Sequence, residues 1–263
     1  MSTASLERFA GIERLYGAGS VERLAAAHVC IVGVGGVGSW AAEALARSGL
    51  GALTLIDADD VCVSNVNRQL HALDGEFGRL KVEVLAERLT RINPGLTVHP
   101  RAQFLTPSTL DPLLLGGFDA VLDACDAFRV KVEMIAFCRR RKIPIVVSGS
   151  AGGRADSTQI EVRDLSRTEH DALLSLVRKK LRGEFGFPKN RDRYFGVPAV
   201  FSRENVRYPQ ADGSVCGLRP AGEGSMGLDC GGGGLGAATH VTASFAFAAV
   251  GRLIERLLAA RPA

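Results

Sequence analysis

The chain has 263 residues, of which 46% are hydrophobic and 23% charged, and it carries a net charge of +4. These values are typical of globular proteins and exclude a disordered or fibrous chain. The 6 cysteines include no CxxC pair, which excludes the usual zinc-ribbon spacing, and the first ten residues lack the charged-then-apolar pattern of a secretory signal. We therefore expect reduced thiols and a cytoplasmic protein.

The first unit predicted along the chain is a strand, a glycine-rich turn, a helix and a second strand. The strands are expected at 28–32 and 53–57, the helix at 40–48, and Asp57 ends the second strand. The turn carries four glycines: Gly33, Gly35, Gly36 and Gly38. Such glycines let backbone N–H groups approach a phosphate, and a carboxylate after the second strand can bind ribose hydroxyls. The unit predicts nucleotide binding, although a glycine-rich turn without a ligand has the same sequence.

Strands and helices continue to alternate after this unit. The predicted elements are a helix at 79–92, a strand at 97–99, a helix opened by Thr106 and Pro107, a strand at 120–124, a helix at 130–141 and a strand at 143–148. This order predicts an α/β fold with a Rossmann-like, doubly wound, mostly parallel sheet and helices on both faces.

In the second half of the chain the regular alternation of strands and helices ends. An edge strand is expected at 159–162 and an amphipathic helix at 170–181, followed by an irregular stretch to residue 236. A stretch of this length is expected to cover a substrate or to contact a partner. Residues 231–251 carry no charge, but their glycines and polar residues leave too short an apolar segment for a bilayer. We therefore expect a last helix, at 237–258, to return to the core rather than to associate through 231–254 with a membrane.

Positive charge is concentrated in one segment. Seven basic and two acidic residues fall within 178–193, a local net charge of +5, whereas the rest of the chain sums to −1. Such a patch is typical of a polyanion-binding surface, although a solvated helix face followed by a loop gives the same count. The candidate nucleic-acid contacts are Lys179, Lys180, Lys189 and Arg191.

Polar residues that suit phosphate chemistry follow the second strand. They are Asn65 and Arg68 within an N-x-x-R-Q run, then Lys81, and later Asp126. Together with the glycine turn and Asp57, and in this order, they resemble the nucleotide site of the ubiquitin-activating-like, ThiF-type adenylating enzymes. Transfer of AMP to a carboxylate develops negative charge that cations can stabilise, whereas a dehydrogenase has no evident need for Arg68 and Lys81 at these positions.

The resemblance implies a role for each residue. Asp57 is expected to hold the ribose of ATP, Asn65 and Arg68 its phosphates, Lys81 the α-phosphate region, and Asp126 a Mg²⁺ ion. Arg68, Lys81 and Asp126 are the expected catalytic residues. Each also has an ordinary structural alternative, since a carboxylate can cap a helix and a surface cation can form an ion pair.

Motifs of the second half resemble one branch of this superfamily. Segments 67–73, 149–153, 158–165, 208–210 and 213–216 look like the bacterial tRNA threonylcarbamoyladenosine dehydratases. This resemblance implies an ATP-dependent ligase that cyclises threonylcarbamoyladenosine in tRNA through an acyl-adenylate. It also implies tRNA as partner, a homodimer, and a cysteine desulfurase or other sulfur acceptor as a further partner.

The expected organisation is a single adenylating domain over 1–263. Within it, a nucleotide-binding core spans 24–155, and a substrate or partner half with a crossover-type loop spans 156–263. Two alternatives stay open: adenylation of the C-terminus of a ubiquitin-like sulfur carrier, and a non-catalytic nucleotide-binding scaffold.

Some positions depart from the family pattern or leave a role open. Gly11 stands where many members have an arginine that reaches the partner subunit, which leaves Arg14 as the candidate for that role. Ala172 stands where the branch is expected to have proline. Cys216 and Cys230 could serve as acceptors, but closing a ring within the substrate needs no thiol, so neither is assigned to catalysis.

Overall fold

The computed structural model describes residues 3–190, 192–219 and 234–259. The helices in these ranges are α1 (Thr3–Tyr16), α2 (Ser20–Ala25), α3 (Gly38–Arg47), α4 (Lys81–Ile92), α5 (Leu110–Leu114), α6 (Phe128–Arg141), α7 (Ala172–Glu184) and α8 (Thr239–Ala259). The strands are β1 (His28–Val32), β2 (Ala52–Ile56), β3 (Thr97–Arg101), β4 (Ala120–Asp123), β5 (Ile145–Ser148), β6 (Ile160–Asp164), β7 (Pro198–Ser202), β8 (Tyr208–Pro209) and β9 (Val215–Cys216).

Seven of these strands form one sheet in the order β3-β2-β1-β4-β5-β7-β6. All neighbouring strands are parallel except β6, which runs antiparallel to β7 at the edge. Strands β1, β2, β4 and β5 are almost entirely buried, as expected for a sheet covered on both faces. The predicted Rossmann-like, doubly wound α/β fold is confirmed.

Helices pack on both faces of the sheet and form two cores. One core joins α3, α4 and α8 to the sheet through fully buried residues such as Leu45, Leu85 and Phe245. The other joins α5, α6 and α7 through residues such as Leu114 and Val177. Strand β1 lies between β2 and β4, so the chain leaves β1 towards one edge of the sheet and later returns on the other side of β1. The connections therefore diverge between β1 and β4 and leave a crevice there.

The expected irregular stretch before residue 236 contains a strand that the sequence did not predict. Strand β7 is fully buried and is inserted between β5 and the edge strand β6. Gly196 lies just before this strand and Pro198 is its first residue. In a sequence these two residues favour a loop, but proline is tolerated as the first residue of a strand. The prediction of an irregular segment was therefore wrong over 198–202. Likewise, Thr106 and Pro107 open a turn, and helix α5 begins only at Leu110.

The last helix returns to the core as expected. In α8, Val241, Phe245, Ala249 and Leu253 are fully buried at a spacing of four residues, which places them on one face of the helix. Among the described residues, no helix combines the length and apolar character needed to cross a membrane. Residues 231–233 of the uncharged run lie outside the described part of the chain.

Candidate active site

A cleft of about 520 Å³ opens at the carboxyl ends of the parallel strands. Its walls come from segments that follow β1, β2, β4 and β5, together with the start of α8. The cleft brings together seven of the predicted site residues: Gly33, Gly35, Gly36, Asp57, Arg68, Lys81 and Asp126. Gly38 and Asn65 do not belong to its lining.

The glycine turn combines two tight contacts with one open edge. Gly33 has a φ of +84°, and a Cβ atom on it would lie 3.0 Å from the backbone of Ala124. A Cβ on Gly38 would lie 1.8 Å from the carbonyl oxygen of Gly33, so α3 can start against the turn only without a side chain there. Gly38 therefore has a packing role, while Gly35 and Gly36 present backbone to the cleft.

Asp57 is fixed beside this turn by two backbone N–H groups. Its Oδ2 accepts a hydrogen bond of 2.8 Å from Val34 N, and its Oδ1 accepts one of 2.9 Å from Asp59 N. Burial raises the pKa of the Asp57 carboxyl, although these N–H groups and Lys81 oppose the shift. The arrangement holds the acceptor oxygens at the cleft wall, where ribose hydroxyls could donate to them.

Lys81 supplies a buried positive charge to the cleft. It is the first residue of α4, its side chain is 5% exposed, and its Nζ lies 2.8 Å from Oδ2 of Asp59. Asp59 thus holds the Lys81 side chain in place at the cleft. The ammonium group is suited to stabilising a phosphate because little water screens it.

Arg68 and Asn65 belong to one compact loop after β2. Arg68 Nη1 donates to the Ser64 carbonyl oxygen at 2.7 Å and to Asn67 Oδ1 at 2.9 Å, while the rest of its side chain lines the cleft. Asn65 is buried, and its Oδ1 accepts a hydrogen bond of 3.1 Å from Cys62 N. In this structure Asn65 shapes the loop from behind the cleft, and the loop presents Arg68.

Asp126 is exposed at the cleft, just after β4. Within the described residues no cluster of three or more His, Cys, Asp or Glu side chains could hold a metal ion. Mg²⁺ is commonly bound by one or two carboxylates together with substrate phosphates rather than by a closed protein cage. Asp126, an exposed carboxylate at the cleft, fits that mode of Mg²⁺ binding.

Sequence reasoning missed a buried ion pair behind the cleft wall. Lys131 Nζ lies 2.7 Å from Asp123 Oδ1, and both side chains are 0% exposed. Lys131 Nζ also donates to the Ser148 carbonyl oxygen at 3.0 Å. Cys125, which lines the cleft, donates its Sγ–H to the same Asp123 Oδ1 at 3.1 Å.

The Cys125 thiol is held in its protonated form. Burial raises the pKa of this thiol well above its ordinary value, and the negative charge of Asp123 raises it further. A protonated thiol is a poor nucleophile, so its place in the cleft wall does not make Cys125 an acyl acceptor.

The candidate nucleic-acid residues lie on and after α7, outside the cleft lining. Lys179 and Lys189 are exposed, and Lys180 forms an ion pair with Glu184. Arg191 lies outside the described residues. Nearby, Arg182 Nε donates to the Pro188 carbonyl oxygen at 3.2 Å, so part of the positive charge of this segment is used in local contacts.

The remaining candidates are spread over the surface. Arg14 is exposed in the last turn of α1. Cys216 is partly exposed in β9, and its Sγ lies 3.6 Å from the Leu218 carbonyl oxygen. Cys230 lies outside the described residues.

Comparisons with known proteins identify relatives over nearly the whole chain. The ThiF family model matches residues 8–254. The chain is 49% identical over 259 residues to an Escherichia coli protein named tRNA threonylcarbamoyladenosine dehydratase, covering 98% of this chain and 96% of the relative. It is 47% identical over 252 residues to a Haemophilus influenzae protein of the same name, covering 96% of this chain and 94% of the relative.

A solved structure is similar over the same extent. The crystal structure of the E. coli tRNA N6-threonylcarbamoyladenosine dehydratase TcdA in complex with ATP matches with a TM-score of 0.86 and 46% identity. The match covers 98% of this chain and 96% of that one. With a family match over most of its length and near-complete coverage of these relatives, the chain belongs to the ThiF family.

Proposed function

We propose that this protein catalyses the ATP-dependent dehydration of threonylcarbamoyladenosine in tRNA. The observation that carries the proposal is the cleft, in which a glycine turn, two cations and three carboxylates meet where the chain connections of the sheet diverge. The near-complete match to dehydratases, one of them solved with ATP, supports the choice of this substrate.

The reaction has two steps. An oxygen of the threonylcarbamoyl carboxylate attacks the α-phosphorus of ATP, and the bond to pyrophosphate breaks. A nucleophile within the same side chain then attacks the activated carbonyl carbon, loses its proton and displaces AMP. The modified nucleoside has lost the atoms of one water. Ring closure benefits from proximity because nucleophile and acyl group belong to one side chain.

The residues of the cleft suit the first step. Gly35 and Gly36 let phosphate approach the backbone, and Asp57 accepts hydrogen bonds from the ribose. Arg68 and Lys81 stabilise the charge that develops on the α-phosphate and on departing pyrophosphate. Asp126 would hold Mg²⁺, which supplies further neutralisation of phosphate charge when bound.

Two alternatives from the sequence are less well supported. A non-catalytic scaffold does not need the buried Lys81 beside a phosphate cradle. Activation of a sulfur carrier requires a partner ending in Gly-Gly and usually a thiol acceptor, whereas the cleft thiol, Cys125, is held protonated. A cysteine desulfurase or other sulfur acceptor stays a prediction from the sequence resemblance.

We further propose a homodimer. The segment between Val61 and Lys81, which borders the cleft, exposes four apolar side chains to solvent: Val63, Val66, Leu73 and Phe77. Their burial against a second copy would bring another chain to the rim of the site, where Arg14 of that copy is the candidate contact. We also propose that 1–263 forms a single adenylating domain, with a nucleotide-binding core at 24–155 and a substrate or partner half at 156–263. This is supported by β6 and β7, which lie in the same sheet as β1.

Pyrophosphate release tests the adenylation step. Release should depend on both ATP and a tRNA that contains threonylcarbamoyladenosine, and Arg68→Ala should reduce it strongly. Unmodified tRNA of the same sequence is the matched substrate control. Equal pyrophosphate release with either tRNA would contradict the proposed substrate.

A further inference from the structure

A second concave surface lies at the other end of the sheet from the cleft. This groove, of about 640 Å³, runs between the edge strand β6 and helix α8. It borders Asp164 at the end of β6 and Pro198 at the start of β7, which is the amino-terminal end of the parallel strands. Its charged lining residues are Arg163, Asp164, Arg252, Glu255 and Arg256.

Arginine side chains converge on this groove from two helices. Arg252 and Arg256 come from α8, and Arg256 Nη1 donates to the Ile145 carbonyl oxygen at 3.3 Å. Gly196 lines the groove, and Arg139, near the end of α6, lies beside it. The Arg139 guanidinium is 3.3 to 3.4 Å from the point where a Cβ added to Gly196 would lie. Burial lowers the pKa of Arg256, and the like charges of Arg252 and Arg139 lower it further.

The acidic residues of the groove are already engaged. The Asp164 carboxylate accepts hydrogen bonds from the N–H groups of Phe195, Gly196 and Val197 at 2.7 to 3.0 Å. Glu255 pairs with Arg252 at 2.9 Å, where both side chains are about half exposed. Arg163 and Arg252 are paired with carboxylates, whereas Arg139 and Arg256 form no ion pair among the described residues. An anion in the groove could offset the positive charge of these two guanidinium groups.

We propose that this groove binds the phosphate backbone of the tRNA substrate. The proposal rests on the proposed function and adds to it a binding surface outside the cleft. Guanidinium groups match phosphate in charge and in hydrogen-bond geometry, and a ribose-phosphate chain can contact several of them at once.

The charge of the groove argues against a second copy of this chain as the occupant. A dimer whose two-fold axis passed through the groove would bring the same arginines of both copies together. Like charges opposed across an interface cost free energy, whereas a polyanion gains from each contact and releases counterions.

The position of the groove suits a macromolecular substrate. Helix α8 links the two sites, because Thr242 lines the cleft and Arg256 lines the groove. At 1.5 Å per residue their Cα atoms are separated by about 21 Å along the helix. A tRNA whose reacting base enters the cleft can reach the groove with another part of its backbone.

The groove also adjoins the basic segment at the end of α7. The Arg182 guanidinium lies 5.1 Å from the centre of the Phe195 ring, and Phe195 is the residue before Gly196 of the groove. The candidate contacts Lys179 and Lys189 belong to that same segment, so groove and segment can form one phosphate-binding surface.

The test compares two double variants. Arg252→Gln with Arg256→Gln removes two charges from the groove. The control variant, Arg47→Gln with Arg91→Gln, removes two charges from the ends of α3 and α4. Arg47 pairs with Glu43 on its own helix, as Arg252 pairs with Glu255. Binding of full-length tRNA is measured by filter retention across a salt series, together with ATP-induced thermal stabilisation and the oligomeric state. Arg252→Glu, a change at an exposed position, serves as a second groove variant in case the double variant folds poorly.

The groove variant should bind tRNA about tenfold more weakly than wild type, with ATP stabilisation unchanged. Its log–log salt slope should be shallower by roughly 0.7 to 0.9 for each phosphate that the variant no longer binds. The control variant should stay within about twofold of wild type. Wild-type tRNA affinity and slope in both groove variants would overturn the proposal, as would a change of oligomeric state without a change in tRNA binding.

Failure of the proposed function would look different. A wild-type protein that binds tRNA but leaves threonylcarbamoyladenosine unchanged would contradict the dehydratase activity, while the groove would still be judged by binding. Normal dehydration by wild type, with tRNA binding unaffected in the groove variants, would overturn the groove alone.

Discussion

Lys131 and Asp123 form a fully buried ion pair that joins the two loops on either side of the cleft floor. Asp123 ends β4 and its Oδ1 accepts the N–H of Cys125, the residue before Asp126, at 3.2 Å. Lys131 donates to Ser148, the residue before the glycine-rich wall at 149–152. The pair thereby fixes both loops relative to each other.

Removing one partner of this pair should be costly. Lys131→Met leaves the Asp123 carboxylate buried without its partner, so the free energy of unfolding should fall by about 3 to 5 kcal/mol. Adding Asp123→Asn removes the charge and should restore much of that loss. Urea denaturation of the single and double variants checks this. A Lys131→Met protein as stable as wild type would show that the pair does not hold the loops.

The start of α3 should tolerate no side chain at Gly38. Gly38→Ala places a Cβ 1.8 Å from the Gly33 carbonyl oxygen, so the turn must move, and both stability and ATP-induced stabilisation should be lost. Gly183→Ala is the matched control, since it lies in α7 with no atom within 4 Å of the new Cβ. That change should be neutral or stabilising by up to about 1 kcal/mol. Equal melting temperatures with ATP for Gly38→Ala and wild type would contradict the close packing.

Lys81 should contribute to the chemical step. Lys81→Met removes a buried charge beside the expected α-phosphate position and should lower kcat by about 10²- to 10³-fold, as loss of a transition-state donor does. Asp59→Asn keeps the lysine and removes only its partner, so its effect should be smaller than about tenfold. Single-turnover rates separate this loss from weaker ATP binding. A Lys81→Met enzyme with wild-type kcat would exclude the assigned role.

His71 should make stability depend on pH. Its side chain is buried, and within the described residues neither ring nitrogen has a hydrogen-bond partner. Burial lowers the pKa of His71 to about 4, with a contribution from Lys81. In the unfolded chain the ring binds this proton near pH 6.5. The contribution of neutral His71 to the free energy of unfolding is therefore fully present above pH 6.5 and is lost as the pH falls towards 4.

Replacing His71 should remove this pH dependence. Between pH 7 and pH 4, wild type should lose roughly 3 kcal/mol more of its unfolding free energy than His71→Leu does. Denaturation curves at several pH values measure the difference. Parallel pH profiles for the two proteins would show that His71 is protonated in the folded state as readily as in the unfolded state.

Local sequence patterns were sufficient to predict the nucleotide-binding half of the fold. The β-branched run at 28–32, the glycine spacing and the helical period at 79–92 are properties of neighbouring residues, and the corresponding elements β1 and α4 form at those places. Strand β7 could not be predicted because its burial comes from β5 and β6, which lie far away in the chain. A five-residue segment between Gly196 and Arg203 has no periodic signal of its own.

The candidate site shows the same limit. The order of glycines, Asp57, Arg68, Lys81 and Asp126 was sufficient to predict which residues meet at one cleft. The pairing of Lys131 was not visible, since a lysine in a helix ordinarily indicates a solvent-facing position. Its burial depends on Asp123, which lies at the end of β4, the strand that precedes α6. The pairing results from the packing of α6 against the sheet, which local sequence patterns do not show.

Mass spectrometry of nucleosides from tRNA incubated with the protein, ATP and Mg²⁺ tests the proposed dehydration. Threonylcarbamoyladenosine alone should lose the mass of one water, and AMP and pyrophosphate should form in equal amounts. Omission of ATP should abolish the mass loss, and the Lys81→Met change should slow it by about 10²- to 10³-fold. An unchanged threonylcarbamoyladenosine mass, in a preparation stabilised by ATP and able to bind tRNA, would contradict the proposed dehydration.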